Sequence, residues 1–258
     1  MAMVLRDMAP DPKRYNPRSF SHQVSNLKNE LVDEETFASR TGEASPHQEQ
    51  VLAEAYSMYQ RRLRQANAMD FDDLIMTTVH MFQAFPDVAE HYRRRFRHVM
   101  VDEYQDTNHA QYQLIRELVG SESTRAEHGV EPSELVVVGD ADQSIYAFRG
   151  ATIRNIEDFE RDYPNATTIL LEQNYRSTQN ILTAANSVIA RNSNRREKNL
   201  WSQSGDGARI VGYVGDNEHD EASFVARTID RLGDEHGIRP RDVAVFYRTN
   251  AQSRALEE

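Results

Sequence analysis

Val99-Met100-Val101-Asp102-Glu103-Tyr104-Gln105-Asp106 is the stretch on which the reading of this chain turns. Its short apolar run ends in paired carboxylates, which predicts a buried strand delivering two acids to the edge of a sheet. In open α/β sheets, ligands bind in the crevice outside the carboxyl ends of the strands. Two adjacent acids at such an edge suit a hard divalent cation and a base for a water molecule.

Outward from that junction the pattern repeats. From Phe96 onward, strand candidates stand at His98–Val101, Leu135–Val138, Thr168–Leu171, Arg209–Val214 and Val243–Tyr247. Helical stretches fall between them, around Asn108–Val119, Arg154–Asp162, Ser177–Arg191 and Asp220–Asp234. Several strands are continuous apolar runs, as in a parallel sheet with helices on both faces. The polar stretches 121–133 and 192–207 predict surface loops.

Upstream, the first 80 residues predict helices and carry no legible chemistry. Phe20, Val24, Leu27 and Leu31 recur at helical spacing. A longer helix is expected over Pro46–Gln65, with Val51, Leu52, Ala55, Tyr56, Tyr59 and Leu63 on one face. Met69-Asp70-Phe71-Asp72-Asp73-Leu74-Ile75 opens another, with Asp70 as its N-cap and the following acids favoured by the helix dipole.

Three strand ends carry unusual polar clusters. Val101 is followed by Asp102–Asn108, Val138 by Gly139-Asp140-Ala141-Asp142-Gln143-Ser144-Ile145-Tyr146-Ala147-Phe148-Arg149-Gly150, and Leu171 by Glu172-Gln173-Asn174-Tyr175-Arg176-Ser177. One such cluster is explained by turn chemistry, since Asp, Asn, Ser and Gly dominate turns. Three on parallel strands would lie at the same sheet edge and could converge on one ligand.

Composition sets the outer bounds. The 258 residues suffice for one large or two small domains, and the 39% apolar fraction with abundant charge suggests a soluble, helix-rich α/β protein. No apolar run approaches the roughly 20 residues of a membrane span, and the N-terminus has no signal-peptide core. The absence of cysteine excludes disulfides and thiolate metal sites and fits a reducing cytoplasm. A net charge of −11 sits awkwardly with nucleic-acid binding, although a basic groove can lie on an acidic protein.

The three clusters resemble the sequence blocks of superfamily 1 DNA helicases of the UvrD/PcrA/Rep type. Asp102–Asn108 is similar to their Walker B block, Gly139–Ala151 to their third block and Leu171–Ser177 to their fourth. Asp70–Ile75 and Tyr247-Arg248-Thr249-Asn250-Ala251-Gln252-Ser253-Arg254 match further stretches, so the resemblance spans nearly the whole chain in the family's order. It implies an α/β fold of RecA-like, P-loop NTPase type, with parallel sheets flanked by helices and an N-terminal helical subdomain. The expected division is a helical insertion over 1–80, an incomplete first motor domain over 81–170 and the start of a second over 171–258.

By the same resemblance the chain is part of an ATP-dependent 3′-to-5′ helicase and translocase. Asp102, together with Glu103, helps hold Mg²⁺ on the β- and γ-phosphates of ATP, and Glu103 positions or deprotonates the attacking water. Gln143 senses the γ-phosphate. Arg176 reaches that phosphate from the second motor domain, a task that suits a planar, permanently charged guanidinium. Tyr175 stacks on adenine. Tyr146 and Phe148 are the platforms for bases of single-stranded DNA, and Arg149 and Asn250 contact backbone or base. The implied setting is the cytoplasm, at the nucleoid, with single-stranded DNA, duplex junctions and DNA-repair proteins as partners in repair or replication, and no membrane.

One part of that machine has no counterpart in the sequence. A P-loop needs a glycine-rich turn followed by Gly-Lys-Ser/Thr, whereas Lys13, Lys28 and Lys198 follow Pro12, Leu27 and Glu197. The expectation is therefore the middle of a helicase, cut at both ends, with incomplete sheet edges open to association and with negligible ATP hydrolysis on its own. Two other readings stay open. One is a non-catalytic module binding single-stranded DNA or a partner protein. The other is a metal-dependent phosphohydrolase using Asp102, Glu103, Asp140 and Asp142, weakened by the lack of a His-rich or further carboxylate cluster.

Overall fold

The computed structural model describes residues 1–8, 15–121, 125–126, 129–144, 159, 161–192 and 197–257. The chain divides into two compact units, Met1–Ile169 with Asn192–Glu197, and Leu170–Arg191 with Lys198–Glu258.

The first unit is mostly helical. Its helices are α1 (Ala2–Met8), α2 (Pro17–Asn29), α3 (Glu34–Arg40), α4 (His47–Gln65), α5 (Phe71–Ala84), α6 (Pro86–Arg95) and α7 (His109–Val119). The α4 periodicity buries Leu52, Ala55 and Tyr56 against Phe20 and Val24 of α2 and Val4 and Leu5 of α1. Asp70 starts α5 through a capping box: its side chain accepts from the Asp73 N–H, while Asp73 accepts from the Asp70 N–H.

A buried lysine lies at the centre of this unit's polar contacts. Lys28 on α2 is fully buried, and its Nζ lies 2.6 Å from Asp70 Oδ2 and 2.8 Å from Asp73 Oδ1. Tyr59 Oη and Gln60 Nε2 of α4 donate to the same two carboxylates at 3.0 Å each. Three helices thus meet on a single buried ammonium group. Burial, then the neighbouring Asp70 charge, pushes the Tyr59 hydroxyl up to about 12.

β1 (His98–Val101) pairs in parallel with β2 (Glu134–Val137), Val101 opposite Val137. Val99, Val101, Leu135 and Val137 pack on Tyr104, Tyr112, Ile115 and Val119, so α7 covers one face. The other face is open, with Met100 78% exposed. The expectation of strands buried on both faces is corrected here for the described residues: these two alternate, with α7 covering one side.

The second unit contains α8 (Gln179–Ile189), α9 (Glu218–His236) and α10 (Asn250–Glu257). Asn217 caps α9, accepting from the N–H groups of His219 and Asp220, and Gly237 ends it at φ +66°. Tyr213 stacks on Phe224 with ring centroids 4.0 Å apart. The one isolated β-bridge among the described residues pairs Gln173 with Trp201.

Three expected strands do not form. Thr168–Leu171, Arg209–Val214 and Val243–Tyr247 carry no ladder, and Val214 and Phe246 are more than nine-tenths exposed. The cause is tertiary. An apolar run becomes a strand only when a neighbour takes its backbone hydrogen bonds, and no described segment does so. The expected helix Arg154–Asp162 lies largely outside the described residues.

Candidate active site

The site forms where β1 and β2 end side by side. Past the last register pair, the Val138 N–H donates to the Val101 carbonyl at 2.8 Å, and the Tyr104 N–H donates to the Val138 carbonyl at 2.9 Å. The two loops that follow are therefore stitched together at their roots.

Asp102 and Glu103 stand exposed at this edge. Asp102 Oδ1 accepts from the Glu103 N–H at 2.9 Å. Glu103 adopts φ +50°, ψ +43°, a left-handed conformation that non-glycine residues rarely take and that clusters at functional sites. A single 3₁₀ turn, Tyr104–Asp106, then leads to Asn108, whose capping box with Gln111 starts α7. Asn108 Nδ2 also donates to Asn29 Oδ1 of α2 at 2.9 Å, which ties this end of the site to the helical region.

Between the acids and the second loop lies Gln105, 1% exposed. Its Nε2 donates to Glu103 Oε2 at 2.7 Å, and its Oε1 accepts from the Asp140 N–H at 2.9 Å. Asp140 in turn accepts from Gln143 Nε2 at 2.7 Å and from the Asp142 N–H at 3.0 Å. A continuous path of hydrogen bonds thus runs from the Glu103 carboxylate to the Gln143 amide. Gly139 fits closely beside it: a Cβ there would stand 2.8 Å from Gln105 Oε1, so one or the other would have to shift.

The donors fit a magnesium ion held sparingly. Asp102 and Glu103 offer only oxygen, the hard donor that Mg²⁺ prefers, and Mg²⁺ takes one or two carboxylates and completes its shell with water and phosphate. Among the described residues, no group of three or more His, Asp or Glu side chains forms an all-protein cage.

Asp102, Glu103 and Gln143 therefore share one edge of the first unit. Tyr175 and Arg176 belong to the second unit. There Asn174 Oδ1 accepts from the N–H groups of Arg176 and Ser177 at 2.9 and 2.7 Å, a turn that leaves Tyr175 82% exposed. Asn250 opens α10, exposed, with its carbonyl accepting from Ser253 Oγ. Tyr146, Phe148 and Arg149 lie outside the described residues.

Sequence reasoning passed over two residues that the geometry makes prominent. Gln105 sits inside a quoted cluster, but only the apposition of the two strands gives it Asp140 as a partner, and Asp140, named from the sequence only as a metal ligand of the phosphohydrolase reading, stands here as that partner. The other is Phe71, 89% exposed at the start of α5, on a groove of about 650 Å³ that His22, Asn26, Asn29, Asp106 and Asn108 also line. A large apolar ring at an N1 position, off the α5 core face, was the available signal.

Comparison with known proteins finds relatives along the whole chain. Residues 1–164 match the UvrD/REP helicase N-terminal domain, and residues 169–258 match the UvrD-like helicase C-terminal domain. The ATP-dependent DNA helicase UvrD1 of Mycobacterium tuberculosis is 65% identical over all 258 residues, and that of Mycobacterium leprae is 62% identical. The ATP-dependent DNA helicase PcrA of Bacillus subtilis is 49% identical over 255 residues, 99% of this chain. The chain spans about a third of the length of these relatives, 33% in each case. With a family match over 164 of its 258 residues, the chain belongs to the UvrD/REP helicase family.

Proposed function

We propose that this chain is a portion of an ATP-dependent DNA helicase that couples ATP hydrolysis to 3′-to-5′ movement on single-stranded DNA. The observation that carries the reading is the pairing of exposed Asp102 and Glu103 at the end of β1 with a hydrogen-bonded path to Gln143. The proposed frame is a RecA-like pair of motor domains, with residues 1–80 as a helical insertion, 81–170 in the first motor domain and 171–258 opening the second.

In this reading, Glu103 orients the attacking water and takes its proton, while Asp102, aided by Glu103, holds Mg²⁺. The ion, when bound, neutralises charge developing on the β- and γ-phosphates. Gln143 contacts the γ-phosphate, Arg176 adds a charged donor fork to it, and Tyr175 stacks on adenine. Tyr146 and Phe148 supply stacking faces for DNA bases, and Arg149 and Asn250 supply polar contacts. The exposed Phe71 ring offers another such face. Duplex junctions and DNA-repair proteins are the proposed partners, in the cytoplasm at the nucleoid.

The sequence contains no Gly-Lys-Ser/Thr stretch. Without the backbone amides and lysine of a P-loop, the grip on the β- and γ-phosphates is weak, and we propose that the chain alone turns over ATP negligibly. DNA-stimulated phosphate release from the purified chain tests this. Robust turnover that Glu103→Gln abolishes would overturn it. The same missing stretch favours one second reading, a non-catalytic module that binds single-stranded DNA. Titration with short oligonucleotides separates the two: affinity that ATP leaves unchanged supports the module.

A further inference from the structure

The pairing of β1 with β2 brings a buried amide between two exposed functional groups. We propose that Gln105 is a positioning residue that makes the Glu103 carboxylate and the Gln143 loop move as one unit. The inference rests on the reading of Glu103 and Gln143 as the water-orienting and phosphate-sensing groups.

Gln105 is suited to this by its chemistry and by its seat. A primary amide carries a donor and an acceptor on one rigid plane. Here the donor, Nε2, is bound to Glu103 Oε2, and the acceptor, Oε1, receives the Asp140 N–H. Rotation of the amide to follow one partner therefore breaks the bond to the other. The side chain has little freedom otherwise, since the residue is 1% exposed and lies so near Gly139 that a Cβ there would stand 2.8 Å from Oε1. Asp140 then passes the restraint on, because its carboxylate accepts from both Gln143 Nε2 and the Asp142 N–H. Backbone bonds at the strand ends hold the roots of both loops, and beyond them the Gln105 amide ties the Glu103 carboxylate to the Asp140 N–H, alongside a 3.4 Å bond from Ser144 Oγ to the Gln105 carbonyl.

Glu103 is the sensitive end of the relay. Its left-handed backbone is unfavourable for a residue with a Cβ, and the bonds from Gln105 and to Asp102 hold it there. A carboxylate drawn away from Gln105 by a bound water releases the amide, and the Asp140 loop loosens. Information about the state of the base thus reaches Gln143 without any contact between Glu103 and Gln143 themselves.

The test is amide hydrogen exchange at Asp140 in the whole chain, followed by NMR without nucleotide. Glu103→Ala is expected to speed Asp140 exchange about threefold to tenfold, the scale of one weakened hydrogen bond. Gln105→Met, which removes both bonds at similar length, is expected to speed it at least as much and to erase the further effect of Glu103→Ala. Unchanged protection of α4 amides serves as the folding control. Asp140 exchange indifferent to Glu103 in the wild-type background, or equally sensitive to it with Met at 105, would overturn the proposal. No arm depends on ATP turnover, so failure here is distinct from failure of the helicase reading.

Discussion

Lys28 Nζ donates to Asp70 Oδ2 across 2.6 Å, with no part of the lysine side chain exposed. Asp73 lies at 2.8 Å on the same ammonium group, so one cation balances two carboxylates at the junction of α2, α4 and α5. Removing the lysine strands both acids. Lys28→Met is expected to destabilise the first unit by about 3–5 kcal/mol, the cost of breaking a buried ion pair on one side. Urea unfolding monitored by circular dichroism measures it. Adding Asp73→Asn to Lys28→Met should recover part of the loss, since one of the stranded charges is gone.

The same cluster sets an acid limit. Burial pushes the Asp70 carboxyl up, but the hydrogen bond from Lys28, the Asp73 N–H, the Lys28 charge and the Tyr59 hydroxyl outweigh it and hold Asp70 below its ordinary value. A carboxylate depressed in the folded state adds stability above its unfolded pKa of about 3.9 and loses it as pH falls through the folded value. Urea midpoints should therefore drop as pH falls below about 4, and Asp70→Asn should flatten that slope while lowering the neutral-pH midpoint. An acid limb of equal steepness in the variant would place the sensitivity elsewhere.

Gly139 tests how tightly the two strand ends are fitted. A Cβ there would meet Gln105 Oε1 at 2.8 Å and Tyr104 Cβ at 3.3 Å. Gln105 cannot turn aside without releasing Glu103 or Asp140. Gly139→Ala is expected to cost about 1–3 kcal/mol, as overpacking does in a well-filled site. Denaturant unfolding reads the loss, and faster exchange of the Asp140 amide locates it.

What the sequence made legible follows from the range of the interactions involved. The α4 helix was expected over Pro46–Gln65 and runs His47–Gln65, because its apolar spacing is local information. Strand β1 appears at His98–Val101 for the same reason, as does the Asp70 cap. Arg209–Val214 and Val243–Tyr247 were equally strand-like in sequence, yet strand formation depends on neighbours that no local pattern supplies. Gln105 was invisible for a related reason. Its partner Asp140 lies 35 residues away, and a glutamine beside two acids has no signature until the strands pair.

Phe71 gives the DNA reading a test within the described residues. Its ring is 89% exposed at the groove between α2, α5 and α7, so it contributes little packing to α5. Phe71→Ala should therefore leave stability within about 0.5 kcal/mol of wild type. A base stacked on this ring would lose about 1–3 kcal/mol, which is roughly a 5- to 150-fold weaker Kd. Fluorescence anisotropy with a labelled oligothymidine over a series of stated salt concentrations measures it, because the phosphate contribution varies steeply with ionic strength. Asp72 and Asp106 place negative charge on the same groove, which opposes phosphate and leaves base stacking as the favourable contact. The substitution should accordingly weaken binding with little change in its salt slope. An affinity untouched by Phe71→Ala across the salt series removes this ring from the DNA path.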